Sequence, residues 1–236
     1  MKILALDTST LTGSVALLDD GILKGEMTLS VSVVHSERLM PAIDRLLQDA
    51  GLTLESVDFF AAAVGPGSFT GLRIAIATVQ GFCLALQKPS MSLSTLQALA
   101  CNGGYFSGLV VPLLDARRGE VYAGIYRTQG SKPPQIVGEE MAIPPDRLME
   151  MLQEDRFNRL SVLFLGEGSL VYREVINRGL KGRALFAAPH ANHPRAAHVA
   201  SLAWEQVQRG VAYDRLMVPR YVRPAEVSFP VKKAVG

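Results

Sequence analysis

The sequence predicts an α/β protein, because strand-like apolar runs alternate with helical patterns along its 236 residues. The clearest such unit is an apolar run over residues 59–64, which leads into a glycine-rich turn and then a helical stretch over 72–86. Similar apolar runs at residues 3–6 and 109–114 each precede a hairpin pattern. A chain of this length can bury one large core or two modest ones.

Composition excludes several classes of protein. Hydrophobic residues make up 48% and charged residues 19% of the chain, which is typical of a globular protein rather than a disordered one. Cys83 and Cys101 lack metal-type spacing and indicate reduced thiols in a cytoplasmic protein. The apolar start is too short for a signal peptide, and no run approaches the roughly 18 apolar residues of a membrane span. No membrane contact is therefore expected.

Charge is unevenly distributed although the net charge is only +2. Residues 1–100 carry 6 basic and 9 acidic side chains, whereas residues 101–236 carry 18 basic and 13 acidic ones. A mild basic bias of this kind is more often a solvated surface than a nucleic-acid site.

The first strand ends in an acidic, hydroxyl-rich turn, Asp7-Thr8-Ser9-Thr10. Strands over residues 12–18 and 22–31 follow, joined by a hairpin turn at residues 19–21. Asp7 and Thr8 could serve a metal ion and phosphate, or they could satisfy backbone groups of their own turn. The residues alone favour the second interpretation.

The segment GPGSFTGLR, which begins at Gly65, forms the turn between the strand at 59–64 and the following helix. Gly65, Gly67 and Gly71 indicate a sharp bend or a close approach that a Cβ would obstruct. The free N–H groups of the next helix make this turn a natural anion site. The spacing nevertheless fits neither a P-loop, a dinucleotide fingerprint nor a nucleophile elbow around Ser68.

Two helices flank this turn in sequence. Residues 35–50 form an amphipathic helix with one apolar stripe and a proline inside, Pro41, and Gly51 is placed to cap it. Residues 72–86 form a helix that is apolar around its whole circumference, which requires cover on all sides. Small residues such as Ala77 and Gly81 permit close approach of another helix. A partner could provide that cover, or the C-terminal helix around Trp204 could provide it within the chain.

Metal and catalytic sites are not expected. A pair of metal ligands on one helical face needs spacing of four residues, but Leu39 stands four residues after His35. His190, His193 and His198 have unsuitable spacing for a site. We find no grouping of a nucleophile with a base.

The second half has its own pattern of elements. Residues 101–104 are the best boundary, which divides the chain into domains at 1–102 and 103–215 and a tail at 216–236. A strand at 109–114, a turn at 115–119 and a strand at 121–127 form a hairpin, and residues 130–134 are predicted to be an exposed loop. A buried strand at 162–165 leads into the turn Gly166–Ser169, and a long helix runs from Pro194 to about Arg209.

Six segments together resemble the TsaB (YeaZ) family: LDTST from Leu6 with SVAL from Ser14, HSERL from His35, the GPGSFTGLR segment, DARRGEVY from Asp115 and PRYVR from Pro219. The resemblance spans most of the chain. It implies an actin-like ATPase fold, also called ASKHA or ribonuclease H-like, with two α/β domains of which the second is reduced.

The resemblance also implies a function. Proteins of this family are non-catalytic subunits required with TsaD and TsaE to form N6-threonylcarbamoyladenosine at position 37 of tRNAs that read ANN codons. The family member acts as dimerisation partner and scaffold of TsaD, which performs the transfer. It forms a homodimer when alone and meets tRNA only through the complex, in the cytoplasm. The lack of a second histidine after His35 agrees with a non-catalytic part.

Site residues follow from the same resemblance. The remnant of a nucleotide site comprises Asp7, Thr8, Ser9, Gly65, Gly67, Ser68 and Gly71. Gly166–Ser169 resembles a worn adenosine-binding turn, so no cofactor is expected to be required, with weak binding of ATP or ADP and Mg²⁺ left open. The predicted partner interface comprises His35, Leu39, Ile43, Leu46, Arg73, Ile74, Ala77 and Gly81.

Two other function classes stay open at this stage. A small-molecule kinase or ATPase of the same fold would need a working nucleotide site and a catalytic carboxylate. A glycoprotease-like metallopeptidase would need a metal site, for which the sequence offers no ligand pattern.

Overall fold

The computed structural model describes residues 1–30, 35–129, 132–214 and 216–222, and it contains two sheets with helices packed against them. The first sheet and its helices come from the first hundred residues. They are β1 (Lys2–Asp7), β2 (Thr12–Asp19), β3 (Ile22–Ser30), α1 (His35–Asp49), β4 (Phe59–Ala63), α2 (Phe69–Leu86), β5 (Ser90–Leu93) and α3 (Thr95–Ala100).

The second sheet and the remaining helices follow along the chain. The strands are β6 (Leu109–Arg117), β7 (Glu120–Ala123), β8 (Tyr126–Gln129), β9 (Lys132–Ile136), β10 (Met141–Ile143), β11 (Val162–Leu165) and β12 (Ala184–Phe186). The helices are α4 (Pro145–Met151), α5 (Glu167–Val171), α6 (Arg173–Leu180) and α7 (Ala196–Gln208).

The two sheets repeat one topology. The first has the order β3-β2-β1-β4-β5, and the path of the second is β10-β7-β6-β11-β12. In each sheet the first three strands pair antiparallel and the last three pair parallel. The second sheet adds β8 beside β6, and β9 beside β8. This duplication confirms the predicted α/β architecture. It makes β6 the equivalent of β1, and β11 the equivalent of β4.

The first sheet is covered on both faces. On one face, side chains of α1 and α2 pack with alternate residues of β1, β2 and β4, such as Leu4 and Phe60. On the other face, α7 contributes Val199, Ala200 and Leu202 to a core with Ile3. The helix around Trp204 therefore covers the face of the sheet opposite to α2 and does not roof α2.

The predicted division at residue 102 remains a prediction about domains. By sequence it assigns α7 to the second unit, whereas in space α7 lies against the first sheet. Residues 223–236 of the predicted tail lie outside the described residues, as do residue 215 and the end of the predicted strand at Val31.

Most predicted elements are confirmed, with small differences at their ends, but the strand predicted at 121–127 is divided into β7 and β8. The hairpin turn has Asp20 and Gly21 at positive φ, and Gly51 has a φ of +66° at the end of α1. Helix α2 begins at Phe69, earlier than the predicted start at Leu72, because the Ser68 hydroxyl caps it. Similarly, α7 begins two residues after Pro194.

One expectation is wrong. The described part of the loop predicted at 130–134 belongs to strand β9 (Lys132–Ile136), because an edge strand that pairs with β8 tolerates Pro133 and Pro134. Among the described helices, the 18-residue α2 is long and apolar enough to cross a membrane by length and composition alone, a test that core helices of globular proteins also pass. Its polar residues are interspersed, so it contains no uninterrupted apolar run of about 18 residues.

Candidate functional site

A cleft of about 310 Å³ lies where the carboxyl ends of β1 and β6 meet the segments that follow β4 and β11. Ligands of open α/β sheets bind at such strand ends. The cleft is lined by Ser9, Thr10, Leu11, Gly67, Ser68, Phe69, Leu114, Asp115, Ala116, Arg117, Tyr122 and Glu167. Ser9, Gly67 and Ser68 of the predicted nucleotide site are therefore in the lining, whereas Asp7, Thr8, Gly65 and Gly71 are not.

The three glycines of the turn at residues 65–71, the glycine loop, contact the chain itself. A Cβ on Gly71 would overlap the Thr8 carbonyl oxygen, and one on Gly67 would overlap that of Ser9. A Cβ on Gly65, whose φ is +129°, would meet the Arg220 carbonyl oxygen. Each glycine is thus required because another backbone segment occupies the space that a side chain would need.

The polar groups of the glycine loop also form hydrogen bonds within the chain. The Ser68 N–H donates to the Ser9 carbonyl at 2.7 Å, and the Gly71 N–H donates to the Ser68 hydroxyl at 3.3 Å. The Thr8 hydroxyl donates to the Gly71 carbonyl at 2.7 Å. A phosphate bound by this loop would have to compete with these internal hydrogen bonds.

Asp7 is buried at the end of β1. Its Oδ1 accepts hydrogen bonds from the Ser9 N–H at 2.9 Å and from the Ser9 hydroxyl at 2.6 Å. These contacts favour the interpretation in which Asp7 and Thr8 stabilise their own turn.

The second glycine turn is also filled by the chain. Gly166 has a φ of +93°, and a Cβ there would overlap the Leu113 carbonyl oxygen. The Gly166 N–H donates to the buried Asn192 Oδ1 at 2.9 Å. The turn that resembles an adenosine-binding turn therefore packs tightly onto β6.

The charges of the cleft do not favour a polyphosphate. Asp115 and Glu167 bring two carboxylates to its lining. Among the described lining residues the cationic side chain is Arg117, and its guanidinium lies 3.6 Å from the Asp115 carboxylate. Two carboxylates with one partly neutralised cation repel bound phosphates unless a metal ion intervenes.

Three residues predicted for the partner interface lie in the core instead. Leu39, Ile43 and Leu46 of α1 are only 2–6% exposed and pack against the first sheet. The assignment of these side chains to a partner surface is corrected, because the chain's own sheet covers the stripe. His35 begins α1, but its side chain lies outside what the structure describes.

The remaining interface residues lie on α2. Arg73, Ala77 and Gly81 are exposed, whereas Ile74 is partly buried and packs against the core. Arg73, Ala77 and Gly81 follow one another at intervals of four along the helix and so share one face. Leu84, which is 85% exposed, continues this face. We refer to Arg73, Ala77, Gly81 and Leu84 as the α2 face.

An aromatic cluster marks the first turn of α2. The Arg73 guanidinium lies 3.7 Å from the centre of the Phe69 ring, and the Tyr221 ring stacks on Phe69 with centres 5.5 Å apart. The Arg73 Nε–H donates to the Tyr221 hydroxyl at 3.4 Å. The C-terminal segment therefore reaches the start of the α2 face.

Sequence reasoning missed a buried carboxylate. The Glu140 side chain is 2% exposed, accepts hydrogen bonds from Ser94 and Tyr126, and pairs with the Arg220 guanidinium at 3.1 Å. Burial and the nearby carboxylate raise the pKa of Tyr126. The PRYVR segment pointed to Arg220, but nothing in the sequence distinguishes Glu140 from the adjacent Glu139.

The histidines near α7 take part in packing contacts. His193 Nδ1 lies 3.2 Å from the Thr12 hydroxyl, and His198 Nε2 lies 2.9 Å from Asn102 Oδ1. Burial lowers the pKa of His198 to about 4, with a smaller effect of Arg195. Within the part of the chain that the structure describes, no three His, Cys, Asp or Glu side chains form a group suited to a metal ion.

Comparison with known proteins extends over most of the chain. A family model described as TsaD, tRNA N6-adenosine threonylcarbamoyltransferase, matches residues 30–229. The tRNA threonylcarbamoyladenosine biosynthesis protein TsaB of Bacillus subtilis is 34% identical over 226 residues, which cover 96% of each chain.

Solved structures agree with this match. YeaZ from Pseudomonas aeruginosa superposes with a TM-score of 0.78 at 33% identity, covering 93% of this chain and 99% of that one. The ROK hexokinase of Thermus thermophilus has a TM-score of 0.51 at 12% identity over 89% of this chain and 100% of its own, a likeness of fold alone. The duplicated sheets and these neighbours confirm the actin-like fold. The chain belongs to the TsaB (YeaZ) family.

Proposed function

We propose that this protein takes part in tRNA threonylcarbamoyladenosine biosynthesis as the non-catalytic partner of TsaD. The Bacillus subtilis relative is named as a protein of this pathway, and its alignment with this chain covers nearly the whole length of both proteins. The modified nucleoside is N6-threonylcarbamoyladenosine at position 37 of tRNAs that read ANN codons. TsaE completes the complex, which acts in the cytoplasm without a membrane, and the chain meets tRNA through the complex only.

The observation that carries the non-catalytic role is the filled glycine loop. Thr8, Ser9 and Arg220 occupy the spaces beside its three glycines, and the N–H groups of Ser68 and Gly71 already have acceptors within the chain. The cleft carboxylates Asp115 and Glu167 add repulsion to phosphate. The site is thus a remnant that stabilises the fold. It requires no cofactor and binds ATP or ADP with Mg²⁺ weakly.

The α2 face supports a protein partner. α2 is apolar along its length, yet Ala77, Gly81 and Leu84 are exposed. An exposed apolar face on a helix is usually an interaction site, and small residues allow a second helix to approach closely. Because α7 covers the opposite face of the sheet, Ala77, Gly81 and Leu84 stay exposed in the described part of the chain, and the start of the α2 face is contacted by Tyr221.

TsaD is the occupant that fits this surface. The TsaD family model matches residues 30–229 of this chain, a range that contains both α1 and α2. A protein of the same fold has an equivalent helix pair, so the two pairs can pack with pseudo-twofold symmetry. The α1 contribution comes from its outward side, where Met40 is exposed, because its leucine stripe is buried.

The same face forms a homodimer when TsaD is absent. A patch that is complementary to its own copy by a twofold axis can also accept a partner with the same fold. The homodimer and the complex with TsaD then compete for the α2 face.

Reconstitution with omission of single components tests the proposed function. The protein, TsaD, TsaE, ATP, the threonylcarbamoyl donor and tRNA are mixed, and nucleosides of digested tRNA are measured by mass spectrometry. We expect modification only when this protein and TsaD are both present. Modified adenosine in the mixture that lacks TsaD would show that this chain is itself the transferase.

A further inference from the structure

Residues 216–222, which we call the strap, lie along α2 and the glycine loop. Met217 is buried in the core beneath α2, and its carbonyl accepts a hydrogen bond from Gln80 Nε2 at 2.7 Å. The Arg220 N–H donates to the carbonyl of Val64 at 2.7 Å, at the end of β4. The strap is therefore fixed at two points on the first sheet and its helix.

The Arg220 side chain extends from the strap to the second half of the protein. There it pairs with Glu140, which lies just before β10. The same carboxylate accepts from Ser94, which follows β5, and from Tyr126 of β8. One buried carboxylate thus joins three separate segments of the fold: the end of the first sheet, the second sheet and the strap.

Because Glu140 is charged, the stability of its contacts with Ser94 and Tyr126, which we call the Glu140 junction, depends on Arg220. Burial of a carboxylate carries a desolvation cost, which attraction to a cation offsets and which is left uncompensated when the cation is removed. The hydroxyl groups of Ser94 and Tyr126 are neutral, so the compensating positive charge comes from Arg220.

The residue after Arg220 is Tyr221, the strap's contribution to the aromatic cluster. It is 40% exposed and contacts both Phe69 and Arg73. Because Tyr221 is the next residue in the strap, the position of Arg220 determines where the Tyr221 ring lies against Phe69 and Arg73.

We infer that Glu140 is a positioning residue. Through Arg220 it holds the strap against the glycine loop, and the held strap presents Tyr221, Phe69 and Arg73 as a preformed end of the TsaD-binding surface. The role of the strap in the fold stands on the contacts alone, and its role toward TsaD rests on the proposed function. Preformed surfaces bind more tightly because less ordering occurs on association.

Hydrogen exchange of the full chain, free of partners, tests the first half of this inference. Glu140→Gln keeps an acceptor for Ser94 and Tyr126 but removes the charge, and Arg220→Met removes its partner. We expect amide exchange of the strap and of residues 64–74 to rise by about tenfold in both variants. Arg220→Lys retains the charge and should stay within about threefold of the wild type.

Two further variants make the result specific. If the two residues act as one unit, the Glu140→Gln/Arg220→Met double variant exchanges no faster than Arg220→Met alone. Arg209→Met breaks an exposed ion pair with Glu205 on α7 and should leave the strap unchanged. Unchanged strap exchange in Glu140→Gln and Arg220→Met, or additive increases in the double variant, would overturn the inference.

Binding to TsaD tests the second half. We expect the affinity of Arg220→Met and of Tyr221→Ser for TsaD to fall by about tenfold, with Arg220→Lys close to the wild type. A looser strap with unchanged affinity would overturn the positioning role while leaving the proposed function intact. If the wild-type protein itself fails to bind TsaD, the proposed function and the positioning role both fall, and the exchange data alone decide whether Glu140 holds the strap.

Discussion

Thr8 and Gly71 are in direct contact across the start of α2. The Thr8 hydroxyl donates to the Gly71 carbonyl at 2.7 Å, and the Thr8 carbonyl oxygen occupies the place where a Cβ on Gly71 would lie. The turn after β1 and the first turn of α2 are therefore one packed unit.

Gly71→Ala should destabilise the protein strongly. The added Cβ meets backbone rather than a flexible side chain, so the turn after β1 or α2 must move, at a cost of about 3 kcal/mol. Urea unfolding followed by circular dichroism measures this loss.

Gly81→Ala is the matched control for that change. Gly81 lies in the same helix, but a Cβ there has nothing within 4 Å. The variant should gain about 0.5–1 kcal/mol, because alanine has the higher helix propensity. Equal effects of the two substitutions would show that the contact with Thr8 is not what requires glycine at position 71.

Binding of ATP should be weak. Two N–H groups of the glycine loop, those of Ser68 and Gly71, donate within the chain, and two carboxylates line the cleft. We expect isothermal titration with ATP and Mg²⁺ to give a dissociation constant no tighter than about 1 mM, equivalent to about −4 kcal/mol. A micromolar constant that is lost in Ser68→Ala would show that the cleft is a working nucleotide site.

A substitution of Asp7 also tests whether the cleft is a working nucleotide site. Asp7→Asn should lower modification by the reconstituted complex less than a substitution of an aspartate in the nucleotide site of TsaD, since the Asp7 carboxylate bonds to Ser9 in its own turn. Initial rates of tRNA modification with each variant provide the comparison. An equal or larger loss from Asp7→Asn would assign a catalytic or nucleotide role to this chain.

Stability should fall between pH 7 and pH 5 because of His198. Burial lowers its folded pKa to about 4, against 6.5 for an ordinary histidine, so the unfolded chain binds a proton in this window and the folded chain does not. The contribution is present above pH 6.5 and is lost as the pH falls toward 4, by about 2 kcal/mol at pH 5.

His198→Gln isolates this effect. Asn102 donates from Nδ2 to the carbonyls of Ala191 and His193, which leaves its Oδ1 to accept from position 198. Glutamine can supply that donor without titrating near pH 6. Urea unfolding at pH 7 and pH 5 should show a smaller loss in the variant than in the wild type. Identical losses would mean that other groups control the acid sensitivity.

The sequence predicted the elements better than it predicted what covers them. The apolar stripe of α1 identified the helix and its buried side, including Leu39 and Ile43. The same stripe was also assigned to a partner, because periodicity shows that a face is covered but not by what. Burial against the first sheet decides this in favour of the chain itself.

The glycine loop shows a similar limit. Its glycines predicted a sharp turn or a close approach, and both hold, since Gly65 and Gly67 have positive φ and each meets backbone. A glycine leaves room equally for a ligand or for another segment, so the sequence does not distinguish them. The junction at Glu140 could not be predicted, because it joins Ser94 and Arg220 across more than a hundred residues of chain.

A charge on the α2 face provides the most direct test of the scaffold role. Ala77 is exposed at the middle of the α2 face, and glutamate is a good helix former, so Ala77→Glu should leave the monomer folded. Burying that charge against a partner is costly, and we expect the affinity for TsaD to fall by about 100-fold or more. Ser201→Glu, at an exposed position of α7 on the opposite face of the sheet, is the matched control.

The measurement is the mass of the complex and its dissociation constant, by light scattering and titration of each variant with TsaD. The account predicts that Ala77→Glu is a folded monomer that forms neither the homodimer nor the complex, while Ser201→Glu behaves as the wild type. Wild-type affinity for TsaD and an intact homodimer in Ala77→Glu would contradict it and place the partner surface elsewhere on the protein.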